Sequence, residues 1–325
     1  WYRRILIKDL RCGVTHKTIN KHSTMKVPVF ECMLADDSKK HEKKMTGDVY
    51  VEPKLDGVRV ITICDVDKDE VRMYSRNGKE LNNFPKIQEQ FDSMLDQMSE
   101  SMVFDGEVMS DDFQTLMREI HRKGGAKTDD AILNVFDCLP LEAFKEGGYE
   151  GSLTVRKGML DEYEFGPNIS RVEFVRMNLD EDDGQKQFAD YNKLCIDKGF
   201  EGIMVKPMGG VYECKRSSLW LKVKPFIEVS LKVIDTEEGT GRNAGKLGAL
   251  IVEGTDMDKF IKTNVGSGLT DTDRETFWQA KDKLIGQIVE VRADAITQNQ
   301  DTTNEWSLRF PRFLRFRGFE IGEKL

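Results

Sequence analysis

A single lysine stands in a setting that suits a covalent nucleophile. Lys54 lies in the segment Val51–Arg59, two residues after Glu52 and two before Asp56. A lysine amine attacks only in its neutral form, which burial and neighbouring positive charge favour. The same residues would also fit a strand that ends in an Asp-Gly turn, with Lys54 exposed to solvent. The segment by itself leaves both interpretations open.

Further charged side chains stand at the ends of strands that the hydrophobic pattern predicts. They are Lys54, Asp56, Arg59, Arg76, Asp105, Glu107, Glu201, Lys206, Lys222 and Lys224. Carboxylates bind Mg²⁺, and Lys and Arg neutralise phosphate, so this set predicts a site for a nucleoside triphosphate with a divalent cation. The chain has neither a P-loop nor a GxGxxG pattern, so the site must be of another kind.

Composition limits the class of protein. The 325 residues are 39% hydrophobic and 33% charged, which predicts two folded domains without a membrane span. No secretory signal is visible, and because the chain begins at Trp1 rather than Met, we expect a fragment or a processed form. The six cysteines form no C-x-x-C pair, which argues against zinc and favours a reducing compartment.

Charge is unevenly distributed along the chain. The formal net charge is −8, which argues against a uniformly basic nucleic-acid binder. Residues 1–30 and 306–317 are nevertheless rich in Lys and Arg. Two basic ends indicate local contact with a polyanion, although ordinary solvated faces would give the same pattern.

Hydrophobic periodicity predicts the order of the elements. We expect a helix end at 2–10, an exposed connection at 34–47, and a break near 225–229. Before the break, strands are predicted at 48–54, 58–66, 70–75, 102–108, 131–139, 203–205 and 219–223, and helices at 86–99, 111–122, 153–164 and 185–198. After it, strands near 230–235, 247–253, 259–265, 286–293 and 306–317 with a helix near 271–284 suggest a small β-barrel.

Five short blocks occur in an order that resembles the covalent nucleotidyltransferases, which comprise DNA ligases, RNA ligases and mRNA capping enzymes. The order is K-x-D-G, D-G-E, apolar-F-D, E-G-x-x-x-K and K-x-K. In this chain the blocks are 54–57, 105–107, 135–137, 201–206 and 222–224. One such block carries a high risk of a false match, but five in order are far more specific.

Three segments are similar to ATP-dependent DNA ligases, especially the T-even phage type and related viral ligases. Residues 307–313 resemble the end of the ligase barrel domain, 264–269 resemble a segment shared with cellular replicative ligases, and 9–18 resemble the last turns of a helical DNA-binding domain. NAD-dependent ligases also have K-x-D-G, but they carry a four-cysteine zinc module, which is absent from this sequence.

The resemblance implies an α/β (α+β) nucleotidyltransferase domain of ATP-grasp-like type followed by an OB-fold β-barrel. Residues 1–25 would be the remnant of the helical DNA-binding domain. Residues 26–227 would form the adenylation domain, and residues 228–325 the OB-fold domain.

The resemblance also implies roles for individual residues. Lys54 would attack the α-phosphate of ATP, Glu52 would accept from the adenine amino group, and Phe136 would stack on adenine. Catalytic residues would be Lys54, Asp56 and Arg59; cofactor contacts would be Glu52, Leu55, Arg59, Arg76, Glu107, Phe136, Lys206, Lys222, Lys224 and Arg317; metal ligands would be Asp56, Glu107 and Glu201; DNA contacts would be Arg76, Arg216, Arg309, Arg312 and Arg315. Each has an ordinary alternative, since a Phe in an apolar run is normally core and arginines commonly form surface salt bridges.

Two features near the C-terminus bear on these roles. Arg309, Arg312 and Arg315 are each followed by a phenylalanine, which predicts a strand with one basic face and one core face. The last family motif usually reads R-x-D-K, whereas residues 317–320 read R-G-F-E. By family analogy this motif orients pyrophosphate, so the departure bears on the efficiency of enzyme adenylation.

The expected function is therefore ATP-dependent sealing of 5′-phosphate/3′-hydroxyl nicks in duplex DNA through a lysyl-AMP intermediate, in replication, repair or recombination. We expect Mg²⁺ as cofactor, with Mn²⁺ as a substitute, and a monomer that binds nicked DNA and ATP or AMP but no membrane. The location would be a host cytosol for a viral protein, or the nucleus for a cellular one. The alternatives are an RNA ligase, a capping-type enzyme, or a catalytically impaired DNA-binding homologue.

Overall fold

The computed structural model describes residues 13–14, 16–25, 27, 29–109, 130–298 and 306–319. The chain forms two compact units, Trp1–Val223 and Lys224–Leu325. The helices expected at 2–10 and 111–122 lie outside the described residues, as does Glu320.

The first unit contains short strands and five described α-helices, with short 3-10 helices at Ser38–Lys40, Glu42–Lys44 and Val66–Lys68. The strands are β1 (Leu34–Asp37), β2 (Asp48–Pro53), β3 (Val58–Asp65), β4 (Glu70–Ser75), β5 (Met102–Met109), β6 (Ile132–Pro140), β7 (Gly148–Tyr149), β8 (Ile169–Arg171), β9 (Val175–Asn178), β10 (Ile203–Pro207), β11 (Tyr212–Glu213) and β12 (Arg216–Val223). The helices are α1 (His16–His22), α2 (Pro85–Leu95), α3 (Leu141–Glu146), α4 (Leu153–Asp161) and α5 (Asp182–Asp197).

Two five-stranded sheets form the centre of this unit. Their orders are β1-β12-β10-β2-β9 and β4-β3-β5-β6-β8, and β11 pairs separately with β7. Most neighbours are antiparallel, whereas β1 with β12 and β6 with β8 are parallel.

Alternation along the strands creates a layered packing. In β3, Ile61 packs into the core that also contains Trp220 of the other sheet, whereas Val60 packs into the core that contains Phe91 of α2. In β2, Val51 packs in a third core with Cys195 of α5. Each sheet is therefore covered by the other sheet on one face and by helices on the other, which is the α+β arrangement that the sequence indicated.

The exposed connection expected at 34–47 is partly wrong. Leu34–Asp37 is a strand that pairs with β12, with an irregularity between Ala35 and Asp36. This polar edge strand has no alternating pattern, and partnership with a distant segment stabilises it. The strands β7, β8, β9 and β11 were not predicted either, because two to four residues are too few to show a period.

A buried ion pair connects α4 to β6. Arg156 Nε donates to Asp137 Oδ1 at 2.7 Å and Nη2 to Oδ2 at 3.1 Å, and both side chains are fully buried. Arg156 Nη1 also donates to the carbonyls of Gly151, at 2.5 Å, and Gly210, at 3.0 Å. One guanidinium therefore ties four segments together.

The second unit is a β-barrel. Its strands are β13 (Ile227–Glu238), β14 (Leu247–Asp256), β15 (Lys259–Val265), β16 (Ile288–Ala293), β17 (Ala295–Gln298), β18 (Trp306–Arg309) and β19 (Arg312–Gly318), with helices α6 (Asp271–Gln279) and α7 (Lys281–Leu284). The sheet order is β17-β18-β15-β14-β13-β16-β19. A bridge between Ser267 and Arg312, with Phe313 N donating to Ser267 O at 2.8 Å, connects the segment after β15 to β19 and curls the sheet around its core.

The strand expected at 306–317 is two strands, because Phe310 has a φ of 52° and precedes Pro311. Phe310 is 62% exposed, so its assignment to the core face was wrong. Phe313 and Phe316 do pack against Phe277, at centroid distances of 5.7 and 5.2 Å. Register shifts along β19 let residues three apart face the same side, which a regular strand would not allow.

No helix in the described part of the chain has the length and apolarity to cross a membrane.

Asp137→Asn should lower the free energy of unfolding of the first unit by about 3–5 kcal/mol, because a nearly isosteric change leaves the buried Arg156 without a counter-charge. Urea titration followed by circular dichroism measures this. Asp197→Asn is the matched control, because its pair with Lys193 is exposed, and it should change stability by less than about 1 kcal/mol. Equal effects of the two variants would contradict a stabilising role for the buried Asp137–Arg156 ion pair.

Candidate active site

One cavity of about 570 Å³ in the first unit gathers most of the predicted site residues. Its walls include residues of β2, β3, β5, β6, β10 and β12. The predicted residues that line it are Glu52, Lys54, Leu55, Arg59, Arg76, Glu107, Phe136, Lys206, Arg216 and Lys222. Asp56 and Glu201 are not among its lining residues, although Leu55 and Gly57 on either side of Asp56 are.

Lys54 follows the last residue of β2, and two backbone hydrogen bonds fix its position. Its N–H donates to Gly202 O at 2.8 Å, and its carbonyl accepts from Glu201 N at 3.1 Å. Its Nζ pairs with the Glu201 carboxylate and donates to Leu55 O at 3.4 Å. The sequence led us to expect positive charge beside the Lys54 amine. In the structure its ion-pair partner is instead the carboxylate of Glu201.

Arg59 is anchored by an acid to which no role was assigned. Nη2 of Arg59 donates to Asp105 Oδ2 at 2.6 Å, Nε donates to the other carboxylate oxygen, and Nη2 also reaches Met33 O at 3.1 Å. Tyr212 Oη donates to Asp105 Oδ2 at 2.6 Å. Burial opposes the charge of Arg59, but Asp105 outweighs it, so the pKa of Arg59 lies well above its ordinary value. Its role in binding phosphate stays a prediction.

Two aromatic rings form an apolar wall. Phe136 and Trp220 meet edge to face, with centroids 5.7 Å apart. Lys206 Nζ lies 4.5 Å from the Phe136 centroid and 4.3 Å from that of Trp220. Phe136 belongs to the core and also lines the cavity. Its stacking on adenine stays a prediction. Trp220 was missed, although its spacing of two from Lys222 could have placed it on the same face.

Glu52 is buried between two lysines. It is 2% exposed, and its Oε1 accepts from Lys157 Nζ at 2.5 Å while Oε2 pairs with Lys206 Nζ at 2.6 Å. Burial alone would raise the pKa of Glu52, but Lys157 and then Lys206 outweigh it and lower the pKa below its ordinary value. Lys157 was missed; its signal is a lysine on the apolar stripe of α4, four residues after Leu153.

Glu107 is a partly buried acid of β5 that contacts the turn after Lys54. Its Oε1 accepts from Gly57 N at 3.2 Å. Burial raises its pKa, against the opposing charges of Arg59 and Lys54. The predicted metal ligands Asp56, Glu107 and Glu201 do not form one cluster, since the described residues contain no group of three His, Cys, Asp or Glu suited to a metal ion. Glu201 instead pairs with Lys54.

Exposed basic groups stand at the cavity rim. Arg76 and Arg216 are exposed, and Lys222 is half-buried. Arg216 Nη1 donates to Ala35 O. The rim therefore offers positive charge to a polyanion, as expected for these positions.

The remaining predicted residues belong to the second unit. Lys224 Nζ lies 3.4 Å from Asp294 Oδ2. Arg315 Nε donates to Glu290 Oε2 at 2.6 Å, and Arg317 pairs with the other oxygen of the same buried carboxylate. Arg317, foremost, lowers the pKa of Glu290 below its ordinary value. Arg309 and Arg312 flank the Phe310-Pro311 turn, and Arg312 is exposed.

The chain matches the family model of the ATP dependent DNA ligase domain over residues 32–224, which is more than half of its length. The chain belongs to the ATP-dependent DNA ligase family. Residues 238–317 match the DNA ligase OB-like domain. These matches confirm the nucleotidyltransferase domain and the OB fold that the motifs implied.

Similar proteins carry the same family name. A DNA ligase of Haloarcula marismortui is 31% identical and covers 82% of the chain, and the DNA ligase of Enterobacteria phage T4 is 26% identical and covers 97%. The chain covers 51% of the first and 74% of the second, so it spans about half the length of the archaeal relatives. A solved structure described as Pmar-Lig_PreS3 is 46% identical with a TM-score of 0.87, covering 98% of this chain and 75% of its own.

Gly57→Ala should displace the turn that carries Lys54. A Cβ there would lie 2.2 Å from Val108 O and 3.0 Å from Glu107 Cγ, so the turn and β5 must separate. We expect a loss of about 1–3 kcal/mol in the free energy of unfolding and weaker ATP binding, measured by urea titration and isothermal titration calorimetry. Gly158→Ala is the control: a Cβ in this helix meets nothing within 4 Å and should stabilise by up to about 1 kcal/mol. An unchanged Gly57→Ala variant would refute the close packing.

Glu52→Gln should destabilise the first unit in a pH-dependent way. Because the pKa of Glu52 in the folded state lies below 4.5, its contribution is complete above that pH and is lost as the pH falls through the folded-state pKa. We expect a difference of about 3 kcal/mol from wild type at pH 7 that shrinks below pH 4.5, measured by urea titration across pH. A difference independent of pH would contradict the ionised carboxylate.

Proposed function

We propose that this chain is an ATP-dependent DNA ligase that seals nicks through a lysyl-AMP intermediate on Lys54. The single observation that carries the proposal is the convergence of five separated motifs on one cavity around that lysine. We also propose the division of labour that the sequence implied, with an adenylation domain at 26–227 and an OB-fold domain at 228–325. We further propose that it acts as a monomer on nicked duplex DNA in replication, repair or recombination, in a host cytosol or a nucleus.

In the first step Lys54 Nζ attacks the α-phosphorus of ATP. An N–P bond forms, the bond from the α-phosphorus to its bridging oxygen breaks, the amine loses a proton, and pyrophosphate leaves. The amine must give up its proton before this attack, because a protonated amine has no lone pair to donate, and the Glu201 carboxylate that pairs with Lys54 Nζ would accept it. Arg317 would assist through the pyrophosphate, in a motif that lacks the usual Asp and Lys.

The base and phosphates would be held by the remaining walls. Glu52 would accept from the adenine amino group, and the Phe136 ring would stack on the base. Positive charge for the phosphates would come from Arg59, Arg76, Lys206, Lys222 and Lys224. Leu55 would pack beside the nucleotide.

Two transfers complete the reaction. A 5′-phosphate oxygen at the nick attacks the phosphorus of lysyl-AMP, the N–P bond breaks, and the lysine amine regains a proton. The 3′-hydroxyl then loses its proton and attacks the 5′-phosphorus; a phosphodiester bond forms, the P–O–P bond to the adenylate breaks, and AMP leaves. Arg76, Arg216, Arg309, Arg312 and Arg315 would contact the DNA backbone.

Glu107 is the carboxylate that best fits a role beside Mg²⁺. It lines the cavity, and its raised pKa is that of a buried acid whose charge is only partly balanced by neighbours. Mg²⁺ commonly takes one or two carboxylates together with substrate phosphates, so Glu107 would hold it together with the phosphates of the nucleotide. Bound Mg²⁺, or Mn²⁺ in its place, would offset charge on the phosphates. Roles for Asp56 and Glu201 as ligands stay predictions.

Incubation of the chain with ATP and Mg²⁺ should add the mass of one AMP, and Lys54→Ala should abolish this gain because no other amine occupies its position. Intact-mass spectrometry measures the adduct, which should be labile in acid. Lys193→Ala is the control, because this exposed helix lysine lies outside the cavity.

A nicked duplex with a 5′-phosphate should then be sealed, as seen on a denaturing gel. An adduct formed with GTP and not with ATP would favour a capping-type enzyme, and sealing of RNA alone would favour an RNA ligase. Wild-type protein that binds DNA and gains no mass with either nucleotide would be a catalytically impaired homologue.

A further inference from the structure

Lys157 contacts the proposed base-binding apparatus from behind the cavity. It is buried, and it is not among the residues that line the cavity. Its Nζ donates to Glu52 Oε1 at 2.5 Å and to Phe136 O at 3.0 Å. One ammonium group thus ties the acid of β2 to the strand that carries the aromatic wall.

Glu52, Lys157 and Lys206 form a buried cluster with two cations for one carboxylate. Lys206 at 2.6 Å would by itself neutralise Glu52, and the second buried cation leaves the three side chains with a net positive charge. Burying a surplus charge is unfavourable, so stability alone does not account for Lys157. Lys206 also lies close to both aromatic rings of the cavity wall.

An ionised carboxylate accepts hydrogen bonds and donates none. Two ammonium contacts, one on each oxygen, hold Glu52 in this form and fix its orientation at the cavity wall. The carboxylate retains acceptor positions for a ligand N–H, and it repels a carbonyl oxygen. A purine with an amino group at position 6 is therefore favoured over one with a carbonyl there.

We propose that Lys157 is a positioning residue that sets nucleotide choice by holding Glu52 as a fixed, acceptor-only group for the 6-amino group of the base. The inference rests on the proposed adenylation of Lys54. Lys157 itself touches neither the nucleotide nor the reacting atoms.

The test is the rate of adduct formation with ATP and with GTP in wild type and in Lys157→Met, which keeps the length of the side chain and removes its charge. The ratio of kcat/KM for ATP to that for GTP should fall about 10- to 100-fold, as expected for loss of a charge-assisted contact. The change should lie mainly in KM for ATP. Lys157→Arg should restore most of the preference, and Lys193→Met should leave it unchanged.

A double-mutant cycle separates positioning from a general structural effect. In a Glu52→Gln background, Lys157→Met should cause no further loss of preference, at a temperature where circular dichroism shows every variant folded. An unchanged ATP to GTP ratio in Lys157→Met, or a full additive loss in the Glu52→Gln background, would overturn the inference while leaving lysine adenylation intact. Absence of any adduct on wild-type protein would overturn the proposed function and this inference with it.

Discussion

Burying a charge in a protein interior requires an opposite charge beside it, and the first unit is organised by this constraint. Three carboxylates, Glu52, Asp105 and Asp137, are almost completely withdrawn from solvent. Each pairs with a cationic side chain from another segment. Glu52 pairs with Lys157 and Lys206, Asp105 with Arg59, and Asp137 with Arg156. Since a single unpaired partner would cost several kcal/mol, the segments can meet in few other ways.

These pairs also shape the cavity. Asp105 holds the guanidinium of Arg59 against the aromatic wall, and the two lysines hold Glu52 at its rear. The Lys54 backbone is bonded to Glu201 and Gly202, so two motifs far apart in sequence are connected by hydrogen bonds. The groups proposed for catalysis thus stand on strand ends whose positions are fixed by buried contacts, as a preorganised site requires.

In the barrel, register shifts of one strand decide which side chains are buried. Register shifts in β19 place Phe313 and Phe316 on the core and leave Arg312 and Arg315 outside, although the spacing is three. Arg315 and Arg317 share the buried carboxylate of Glu290. This pairing gives Arg317 a structural partner within the barrel, where the sequence lacks the Asp and Lys usual for its motif.

The sequence by itself determined the class of fold and the order of most elements, and it proposed a nucleophile, because alternating strands and five ordered motifs are local signals that can be read without knowledge of contacts. Lys54, Phe136 and Lys206 could be proposed in this way, and they lie within the range of the family match, while their roles stay predictions. The edge strand Leu34–Asp37 could not be predicted from the sequence, because its stability comes from pairing with a segment about 180 residues away. The turn at Phe310 could not be predicted either, because the spacing of phenylalanine and arginine in the sequence does not reveal a positive φ before Pro311.

Only the tertiary structure decided which charges are partners. The sequence places Asp105 and Asp137 in two of the five motif blocks but does not name their partners, and it gives no signal of a site role for Arg156 and Lys157. The fold buries each of the four against an opposite charge. It also brought Glu201 to Lys54 and kept the expected metal ligands from forming one cluster. The physical reason is that electrostatic energy depends on distance and burial, and both are set by the packing of elements that are remote along the chain.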